Sequence, residues 1–178
     1  MVKNDSGEVV ECQQCRYVKA NGVQCKRTTC LYPSYCWQHS QQEYPFKIKN
    51  STIPGAGKGL FSTSLINKHD LIHQKAGYYG GKVVTAAVYN NSKSTYGVSL
   101  SGNKGVMDGA STQSGLLRRA NTKKRGQGGN NAKLIRVNQT ALRPERIGAQ
   151  ATKRIPAGSE IFMGYGPGYL TAKRGNKK

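Results

Sequence analysis

The segment RIGAQATKRIPAGSEIFMGYG, residues 146–166, carries the densest structural signal in the chain. Its first ten residues read as a short β-strand, and Pro-Ala-Gly at 156–158 predicts a turn. The stretch that follows, GSEIFMGYGPGYL at 158–170, holds three aromatic residues and four glycines, with Glu160 as its single acid. Glycine weakens an ordinary strand but permits unusual backbone angles and close approach. The glycines on both sides of Tyr165 therefore indicate a position that needs either unusual backbone angles or close approach.

The chain from residue 44 onward reads as further short β-strands interrupted by turn signals. Strands are predicted at YPFKIKNSTI (44–53), GLFST (59–63), DLIHQKAGYY (70–79), YGVSLSG (96–102) and AKLIRVNQ (132–139). Single helical turns are predicted in VTAAVYNN (84–91) and ASTQSGLLRRAN (110–121). Short strands with long glycine-bearing loops favour several small sheets over a parallel α/β fold.

Composition divides the chain of 178 residues into three parts. Residues 1–43 hold all five cysteines, residues 44–170 form the β-rich part, and residues 171–178 form a basic tail. A chain of this length can bury one modest core. It has no run of about 20 apolar residues and starts without the apolar region of a signal peptide. The sequence therefore predicts a soluble intracellular protein with no membrane partner.

The charge of the chain is strongly unbalanced. Lys and Arg total 28 against 8 Asp and Glu, which gives a formal net charge of +20. Between Asp70 and Glu145 the single acid is Asp108. Such an excess predicts a polyanionic neighbour, of which nucleic acid is the simplest, although a solubilising surface would have the same composition.

The segment IPGAGKGLFST, residues 53–63, has the composition of a phosphate-binding loop but not its spacing. If Gly57 and Lys58 are the Gly-Lys pair, Thr52 stands where the first glycine belongs, and Gly59 replaces the Ser or Thr after the lysine. No helix pattern follows. The segment by itself is explained equally well as a glycine-rich hairpin turn.

Four groups of residues, taken in order, resemble the motifs of a SET domain, the fold of most protein-lysine methyltransferases. GAGKGLFSTSLINKHDLI with HQKAGYYGG (55–81) resembles the opening glycine motif and the strands after it. TYGVSLSGNKGVMDGAS (95–111) resembles the central strand pair, and LLRRAN with NNAKLI (116–135) resembles the Arg-Phe-x-Asn-His and Pro-Asn stretches. The segment at 146–166 matches the closing motif without a gap. Their order over most of residues 44–170 makes the resemblance specific.

The resemblance implies a mainly β SET-domain fold in which the closing segment threads through an earlier loop and forms a pseudoknot. It implies transfer of a methyl group from S-adenosylmethionine to a lysine, with Tyr165 as the catalytic residue and no metal in the reaction. The cofactor-binding residues carried over by position are Gly57, Lys58, Gly59, Leu60, Asn121 and Tyr165. Those of the channel for the substrate lysine are Tyr96, Met163 and Tyr169.

The sequence departs from the family pattern at several positions. The family's histidine after the asparagine is Thr122 here, so one contact to the cofactor or to the threaded segment is expected to be missing. Met163 stands where the family has the aromatic residue that biases methyl number, and Gly164 stands where an acid commonly precedes the tyrosine. No cysteine follows Tyr165, so the zinc-bound lid of some family members is not expected.

The segment CQQCRYVKANGVQCKRTTCLYPSYCWQH, residues 12–39, offers six candidate metal ligands. Two residues separate Cys12 from Cys15, and two separate Cys36 from His39, which is ligand spacing for tetrahedral zinc. The segment resembles small Cys-x9-Cys…Cys-x2-His units ending YCWQH in proteins of large DNA viruses and algae. This implies Cys15, Cys25, Cys36 and His39 as ligands, with Cys12 as the alternative to Cys15. In a reducing compartment such clustering favours structural zinc over disulfides, and a segment with so little apolar content needs a staple to fold.

A basic run lies between Asn121 and Asn131. Lys123, Lys124 and Arg125, with Arg118 and Arg119 just before them, are the densest positive residues of the β-rich part. The sequence GQGG that follows suits a flexible arm, so Lys123, Lys124 and Arg125 are predicted to contact nucleic acid beside the active site.

These expectations combine into one predicted function with two alternatives. The chain is predicted to be a protein-lysine N-methyltransferase that contains zinc, uses S-adenosylmethionine and acts on a histone in nucleosomal chromatin. The predicted location is the nucleus, or the host nucleus if the chain is viral. One alternative is a catalytically inactive SET-like module that binds nucleic acid or chromatin. The other is a methyltransferase of a different basic protein, ribosomal or viral.

Overall fold

A computed structural model describes residues 2–3, 9–10, 12–29, 34–101, 105–110, 115–123, 128–137 and 145–164. The predicted basic tail at 171–178 lies outside these residues. The twelve strands in the described part are β1 (Val2–Lys3), β2 (Val9–Val10), β3 (Gln13–Gln14), β4 (Thr28–Thr29), β5 (Phe46–Asn50), β6 (Lys58–Ser62), β7 (Lys82–Val84), β8 (Gly97–Ser99), β9 (Val106–Asp108), β10 (Ala132–Val137), β11 (Arg146–Ala151) and β12 (Met163–Gly164). The helices are α1 (Trp37–Glu43), α2 (His73–Ala76) and α3 (Ala86–Asn90), with a 3-10 turn at Leu117–Arg119. None of the described helices is long and apolar enough to cross a membrane.

The described strands form five small sheets, as the interrupted strand pattern predicts. Three are antiparallel pairs, β1–β2, β3–β4 and β5–β6. A fourth has the order β7-β9-β8 and is antiparallel throughout. The fifth has the order β11-β10-β12, in which β10 pairs antiparallel with β11 and parallel with β12. We call residues 159–164 the closing segment. The parallel pairing brings its last two residues, 163–164, alongside β10.

One apolar core joins the β5–β6 pair to the β11-β10-β12 sheet. It is built from β5, β6, β10 and β11, from the 3-10 turn, and from the closing segment, which contributes the fully buried Ile161 and Met163. The remaining members of this cluster are Phe46, Leu60, Ile66, Ile72, Ala76, Tyr79, Leu116, Leu117, Ala120, Ala132, Ile147, Ala149, Ala151 and Ile155. The closing segment is therefore fixed by side-chain packing as well as by strand pairing.

The predicted strand at residues 70–79 is wrong in its middle, where the chain forms α2 instead. Only its ends pair with β11, through isolated bridges at Leu71 and Tyr79. Between them the buried His73 lies against β11, with its Nδ1 3.1 Å from a carbonyl oxygen of that strand. A Cβ at Gly148 would come within 2.6 Å of this Nδ1, so the glycine is what admits the imidazole. The His73 side chain therefore lies against β11 at the place where the backbone of a continuous strand would make its hydrogen bonds.

The other local predictions agree with the structure. The helical turns expected near residues 84–91 and 110–121 are α3 and the 3-10 turn. Thr85 caps α3 by accepting a hydrogen bond from the Val88 backbone N–H at 3.3 Å. The glycine loop at 53–63 is a hairpin turn between β5 and β6, and the Lys58 ammonium donates to Asn50 at 2.7 Å. Among the described residues this loop therefore has the geometry of a hairpin, without a following helix.

Candidate functional site

The closing segment, residues 159–164, is held along one side by β6. The Ser62 N–H donates to the carbonyl oxygen of Ser159 at 3.0 Å, and the Ile161 N–H donates to that of Leu60 at 2.7 Å. A bridge between Phe61 and Glu160 lies between these two bonds. The pairing is antiparallel, so the segment runs back along the β5–β6 hairpin towards its glycine turn.

Two asparagines hold the other side of the closing segment. The Met163 N–H donates to the Asn121 carbonyl oxygen at 2.8 Å. The Asn131 N–H donates to the Phe162 carbonyl oxygen at 3.0 Å, and the Asn131 side-chain oxygen accepts from the Phe162 N–H at 2.8 Å. The loop from Asn121 to Asn131 thus begins and ends on the same short segment. This is the juxtaposition of segments that a SET-domain pseudoknot requires.

A buried carboxylate connects these elements. Glu160 is 4% exposed. Its Oε2 accepts from the backbone N–H and the hydroxyl of Thr52, both at 2.7 Å. Its Oε1 accepts from the Ser51 hydroxyl at 2.7 Å and from the Asn121 amide at 3.1 Å. Burial by itself raises the pKa of a carboxyl, but these hydrogen bonds outweigh it, and the pKa of Glu160 is lowered. The side chain is therefore an anion held by four neutral donors.

Gly59 leaves the space that the Glu160 carboxylate fills. A Cβ at Gly59 would lie 2.1 Å from Oε1, which is closer than atoms can approach. Glycine at this position is explained by the close approach of a side chain from the closing segment. The glycine motif and the closing motif, about 100 residues apart in sequence, therefore depend on each other sterically.

Asn121, predicted to bind the cofactor, uses its side-chain amide within the protein. Its Nδ2 donates to the Lys58 carbonyl oxygen and to Glu160 Oε1, both at 3.1 Å. The neighbouring Thr122 hydroxyl donates to the Met163 carbonyl oxygen at 2.5 Å. Of the two contacts of which one was expected to be missing at Thr122, the one to the threaded segment is present, because a threonine hydroxyl reaches that backbone as a hydrogen-bond donor; the contact to the cofactor stays a prediction.

A second polar cluster surrounds Tyr96, predicted to border the substrate channel. The guanidinium of the buried Arg118 lies 5.1 Å from the Tyr96 ring centroid and donates to the carbonyl oxygens of Gly109 at 2.7 Å and Ala110 at 2.6 Å. The Tyr79 hydroxyl donates to the Tyr96 carbonyl oxygen. Arg118, which precedes the basic run in sequence, is therefore buried and connects the 3-10 turn to the residues that follow β9.

The structure brings together part of the predicted site. Gly57, Gly59 and Leu60 lie on the hairpin that faces the closing segment, and Lys58 presents its carbonyl oxygen to Asn121 while its side chain is exposed. Met163 packs into the apolar core with no exposed surface. Lys123 lies beside the closing segment, with its ammonium 4.3 Å from the Phe162 ring centroid. Tyr165, Tyr169, Lys124 and Arg125 lie outside the described residues.

Sequence reasoning missed several residues that organise the site. Ser51 and Thr52 bind Glu160, but the sequence shows them only as polar residues in a turn. Asn131 holds two backbone positions of the closing segment, and its resemblance to the family's asparagine was a signal that could have assigned it. Arg118 stands at the arginine position of the LLRRAN motif, which could have distinguished it from the basic run after it.

The predicted metal ligands meet in a second site. Cys15 and Cys25 lie on a hairpin in which the Cys25 N–H donates to the Tyr17 carbonyl oxygen at 2.8 Å. Cys36 precedes α1, and His39 lies in its first turn. The ligand atoms of Cys15, Cys25, Cys36 and His39 all lie within 4.8 Å of one another, and the three cysteines are buried.

This geometry fits a zinc ion. Tetrahedral zinc with Zn–S distances of about 2.3 Å and Zn–N distances of about 2.0–2.1 Å places its ligand atoms about 3.6–3.8 Å apart. His39 Nδ1 lies slightly closer than this to two of the thiols, at 3.4 Å from Cys15 Sγ and 3.3 Å from Cys36 Sγ. The Cys36 N–H donates to Cys15 Sγ at 3.2 Å, and the Tyr17 ring stacks on His39 at 3.8 Å. Both contacts orient ligands as an outer shell does.

The protonation states of two ligands suit a metal. The pKa of His39 is lowered by burial and by the nearby Arg27 charge, which favours the neutral imidazole that binds metals. Burial raises the pKa of the Cys36 thiol, but hydrogen bonds, first from the His39 backbone, outweigh it and lower that pKa. Cys12 is disulfide-bonded and lies outside the cluster. The structure therefore favours Cys15 over Cys12 as ligand, and the expectation of metal in place of disulfides is wrong for Cys12, because six candidates exceed four coordination positions.

Comparison with known proteins gives structural neighbours but no sequence family. No protein-family model and no curated protein matches the chain. The polycomb repressive complex 2 of Chaetomium thermophilum matches with a TM-score of 0.56 and 22% identity over 70% of this chain. The same complex, in an autoinhibited conformation bound to S-adenosylmethionine, matches with a TM-score of 0.55 and 21% identity over 74% of this chain. A humanized mutant bound to an inhibitor has a TM-score of 0.55, 22% identity and 74% coverage.

The similarity establishes the fold. The chain spans only 15–17% of the length of these neighbouring chains. Together with the sheet arrangement and the Cys3His cluster, the neighbours confirm the mainly β SET-domain fold with a small zinc-binding module.

Proposed function

We propose that the protein is a SET-type protein-lysine N-methyltransferase that uses S-adenosylmethionine. The observation that carries the proposal is the closing segment, which β6, Asn121 and Asn131 hold from two sides. Tyr165 follows this pinned segment directly, after Gly164. The similarity to a structure bound to S-adenosylmethionine supports the choice of methyl donor.

The hydrogen bonds of Asn121 define how it would hold the methyl donor. Its Nδ2 has two donors, and both are used by Lys58 and Glu160. No described residue donates to its Oδ1. We therefore infer that Asn121 accepts a hydrogen bond from the ammonium group of the donor's amino-acid end, and does not bind the carboxylate. The predicted contacts of Gly57, Gly59 and Leu60 would be made by their backbone groups.

The chain's residues would promote transfer by positioning and by excluding water. S-adenosylmethionine supplies a methyl carbon on a sulfonium, which the lysine amine attacks as the carbon–sulfur bond breaks. The amine must be neutral, and an apolar channel walled by Tyr96 and Tyr169 would lower the lysine pKa by desolvation. The Tyr165 hydroxyl would orient the amine and make weak C–H···O contacts to the methyl group. Most of the acceleration would come from holding the reactants in line.

The net charge of +20 supports a substrate in chromatin. So basic an enzyme would repel a free basic tail. DNA that surrounds such a tail would instead attract the enzyme. The polycomb neighbours support the same context, so we propose a histone lysine as substrate and the nucleus as location. The predicted DNA contacts are Lys123, Lys124 and Arg125.

Calorimetry followed by mass spectrometry tests the proposal. S-adenosylmethionine should bind the purified zinc-containing protein in titration calorimetry. Incubation with a deuterium-labelled methyl donor and a histone mixture should then give labelled methyl-lysine in peptide mass spectra. Binding with no labelled lysine on histones or on other basic proteins would contradict an enzymatic role.

Replacing Tyr165 with phenylalanine tests the catalytic residue. Tyr165→Phe should slow methyl transfer by about 30- to 1,000-fold, or about 2–4 kcal/mol of activation free energy, because one positioned hydroxyl is lost. Cofactor affinity measured by calorimetry should stay nearly unchanged. Tyr17→Phe, which removes a hydroxyl from the zinc module, is the matched control and should keep the wild-type rate. A wild-type rate for Tyr165→Phe would reduce Tyr165 to a packing residue.

A catalytically inactive SET-like module that binds nucleic acid is the second candidate. It is favoured by Gly164, which replaces an acid next to Tyr165, and by the excess of basic residues. DNA binding without any binding of S-adenosylmethionine would support this candidate against the enzyme.

A further inference from the structure

Two lysines from distant parts of the chain converge on one pair of glycines. A Cβ placed on Gly128 would lie 3.7 Å from the Lys123 ammonium nitrogen, and one placed on Gly129 would lie 3.2 Å from that of Lys153. Lys153 follows β11 and is 30 residues from Lys123 in sequence, so only the fold brings them together. We call Lys123, Gly128, Gly129 and Lys153 the lysine–glycine site.

Hydrogen bonds fix the backbone around this site. The Lys123 N–H donates to the Asn130 side chain at 2.9 Å, which closes the base of the loop. The Thr152 N–H donates to the Asn131 carbonyl oxygen at 2.8 Å, which fixes the start of the turn that carries Lys153. The Lys123 ammonium rests 4.3 Å from the Phe162 ring centroid, a cation–π contact that limits its motion. Hydrogen bonds to Asn130 and Asn131 therefore fix the backbone at or next to each lysine.

The described part of the chain provides no acid paired with the positive charge of this site. Neither Lys123 nor Lys153 forms an ion pair there, unlike Arg136, which pairs with Glu145. The acid of the closing segment, Glu160, is buried and already accepts four hydrogen bonds. A polyanion that contacts both ammonium groups would therefore supply the counter-charge that the described residues do not.

We propose that the lysine–glycine site is a docking surface for the phosphodiester backbone of duplex DNA. Lysine ammonium groups are common phosphate contacts, and glycines with no side chain let a strand approach the protein backbone closely. The net charge of +20 adds long-range attraction for a polyanion. Lys123 is two residues from Asn121, so bound DNA would lie beside the proposed cofactor site.

A matched pair of double variants tests the docking surface. Fluorescence anisotropy with a labelled duplex measures affinity over a series of salt concentrations. Losing two phosphate contacts in Lys123→Gln/Lys153→Gln should reduce the log–log salt slope by about 1.8 and the affinity by about 60-fold near 0.1 M salt. Lys68→Gln/Lys75→Gln removes the same charge from exposed lysines elsewhere and should change the affinity less than about threefold. Equal losses in the two pairs would show that net charge alone attracts DNA and would overturn the site.

Two further measurements distinguish DNA binding at this site from an effect on loop structure and from binding of an acidic protein. Lys123→Arg/Lys153→Arg keeps both charges and should restore DNA affinity, whereas failure of this rescue would show that the glutamine pair acted through loop structure. Poly-glutamate should compete with the duplex poorly at equal charge. Competition as strong as that of unlabelled DNA would indicate an acidic protein as the partner and would overturn the proposal.

A role of the site in substrate delivery rests on the proposed function. If both hold, the glutamine pair should lower methylation of nucleosomes at least tenfold more than that of a free histone peptide, with cofactor affinity unchanged. Loss of DNA binding with equal loss of activity on both substrates would overturn the delivery role. DNA binding lost as expected in a protein that methylates nothing would leave the docking surface intact and refute the proposed function.

Discussion

The zinc module, predicted at residues 1–43, and the β domain, predicted at residues 44–170, are stabilised in different ways within the residues that the structure describes. Among the described residues of the zinc module, the buried cluster consists of Cys15, Cys25 and Cys36, with Tyr17 and Tyr35 packed against it. The buried cluster of the β domain contains aliphatic and aromatic side chains from at least four strands and the closing segment. Apolar burial can therefore hold the β domain, whereas the described part of the zinc module buries few apolar side chains and needs its metal ligands as a cross-link.

The two regions nevertheless share a boundary without a spacer. Helix α1 carries His39 and ends at Glu43, and β5 begins at Phe46, which is buried in the core of the β domain. Tyr35, packed on the zinc cluster, meets Tyr44, packed on the β-domain core, edge to face at 5.7 Å. The difference in stabilisation therefore occurs within one continuous structure.

Removing the metal should produce the largest effect on stability, and it tests directly whether the two regions are stabilised in different ways. The purified protein should carry about one zinc per chain, and chelation should unfold the zinc module, because structural zinc contributes about 10–16 kcal/mol in small modules. The β domain should keep its dispersed amide NMR signals, with changes confined to residues near Tyr44 and Phe46. Elemental analysis that finds no zinc in reduced protein would refute the metal site. Global unfolding on chelation would show that the β-domain core is insufficient.

Single cysteine variants identify the ligands. Cys36→Ser should lose most of the zinc, and Cys12→Ser, made in the presence of reductant, should retain about one zinc per chain. Cys12 is the matched control because it is disulfide-bonded outside the cluster. Zinc loss in Cys12→Ser would return Cys12 to the ligand set.

The sequence predicted most of the architecture, for reasons that differ between the regions. Ligand spacing and resemblance identified Cys15, Cys25, Cys36 and His39, because metal geometry restricts residue type and separation. Alternating patterns identified most strands of the β domain. The pattern failed at α2, since the cause there is the approach of His73 to Gly148 from a distant strand. Long-range contacts of this kind are not encoded in local periodicity.

The site was predicted less completely than the fold. The ordered motifs include Asn121 and the glycine turn, which the structure brings together, while their binding of the cofactor stays a prediction. The partners of Glu160 are polar turn residues without a distinctive pattern. Convergence of Lys123 and Lys153 depends on how β11 and the loop after Asn121 meet in space. The positions of Tyr165 and Tyr169 remain predictions.

Replacing Glu160 should give the second-largest effect. Glu160→Gln turns one acceptor oxygen into a donor, which would face the donors of Ser51 or Thr52. Each buried donor left unpaired costs about 1–3 kcal/mol, so the melting temperature should fall by several degrees. Glu43→Gln, at an exposed position, should change the free energy of unfolding by less than about 0.5 kcal/mol. Equal melting temperatures for the two variants would show that the carboxylate network contributes nothing.

The same carboxylate predicts sensitivity to acid. The pKa of Glu160 is lower in the folded protein than in the unfolded chain, so its contribution is complete above the unfolded pKa. That contribution is lost as the pH falls through the folded pKa. Urea unfolding as a function of pH should show a smaller loss of stability below the unfolded pKa in Glu160→Gln than in the wild type. Parallel pH profiles for the two proteins would contradict the assigned direction.

His73 should cause a smaller loss of stability than Glu160, and at a higher pH. Burial lowers its pKa, so below about pH 6.5 the unfolded chain takes up a proton that the folded state resists. Stability should fall as the pH drops below this value, and His73→Gln should flatten that part of the profile. A profile for His73→Gln as steep as that of the wild type would assign the loss to other groups.

The smallest effect is expected at an ion pair on the surface of the β domain. Arg136 donates to Glu145 at 3.3 Å and to the Ser101 hydroxyl at 2.6 Å, but its side chain is 49% exposed. Glu145 also accepts two hydrogen bonds from Ser101, so it stays paired when the arginine is removed. Arg136→Ala should therefore cost less than about 1 kcal/mol in urea unfolding, and the cost should shrink as salt is added. A larger cost that is insensitive to salt would mean that this edge of the β domain depends on a charge pair. The contrast between a metal-held module and an apolar core would then have to include electrostatics in the second region as well.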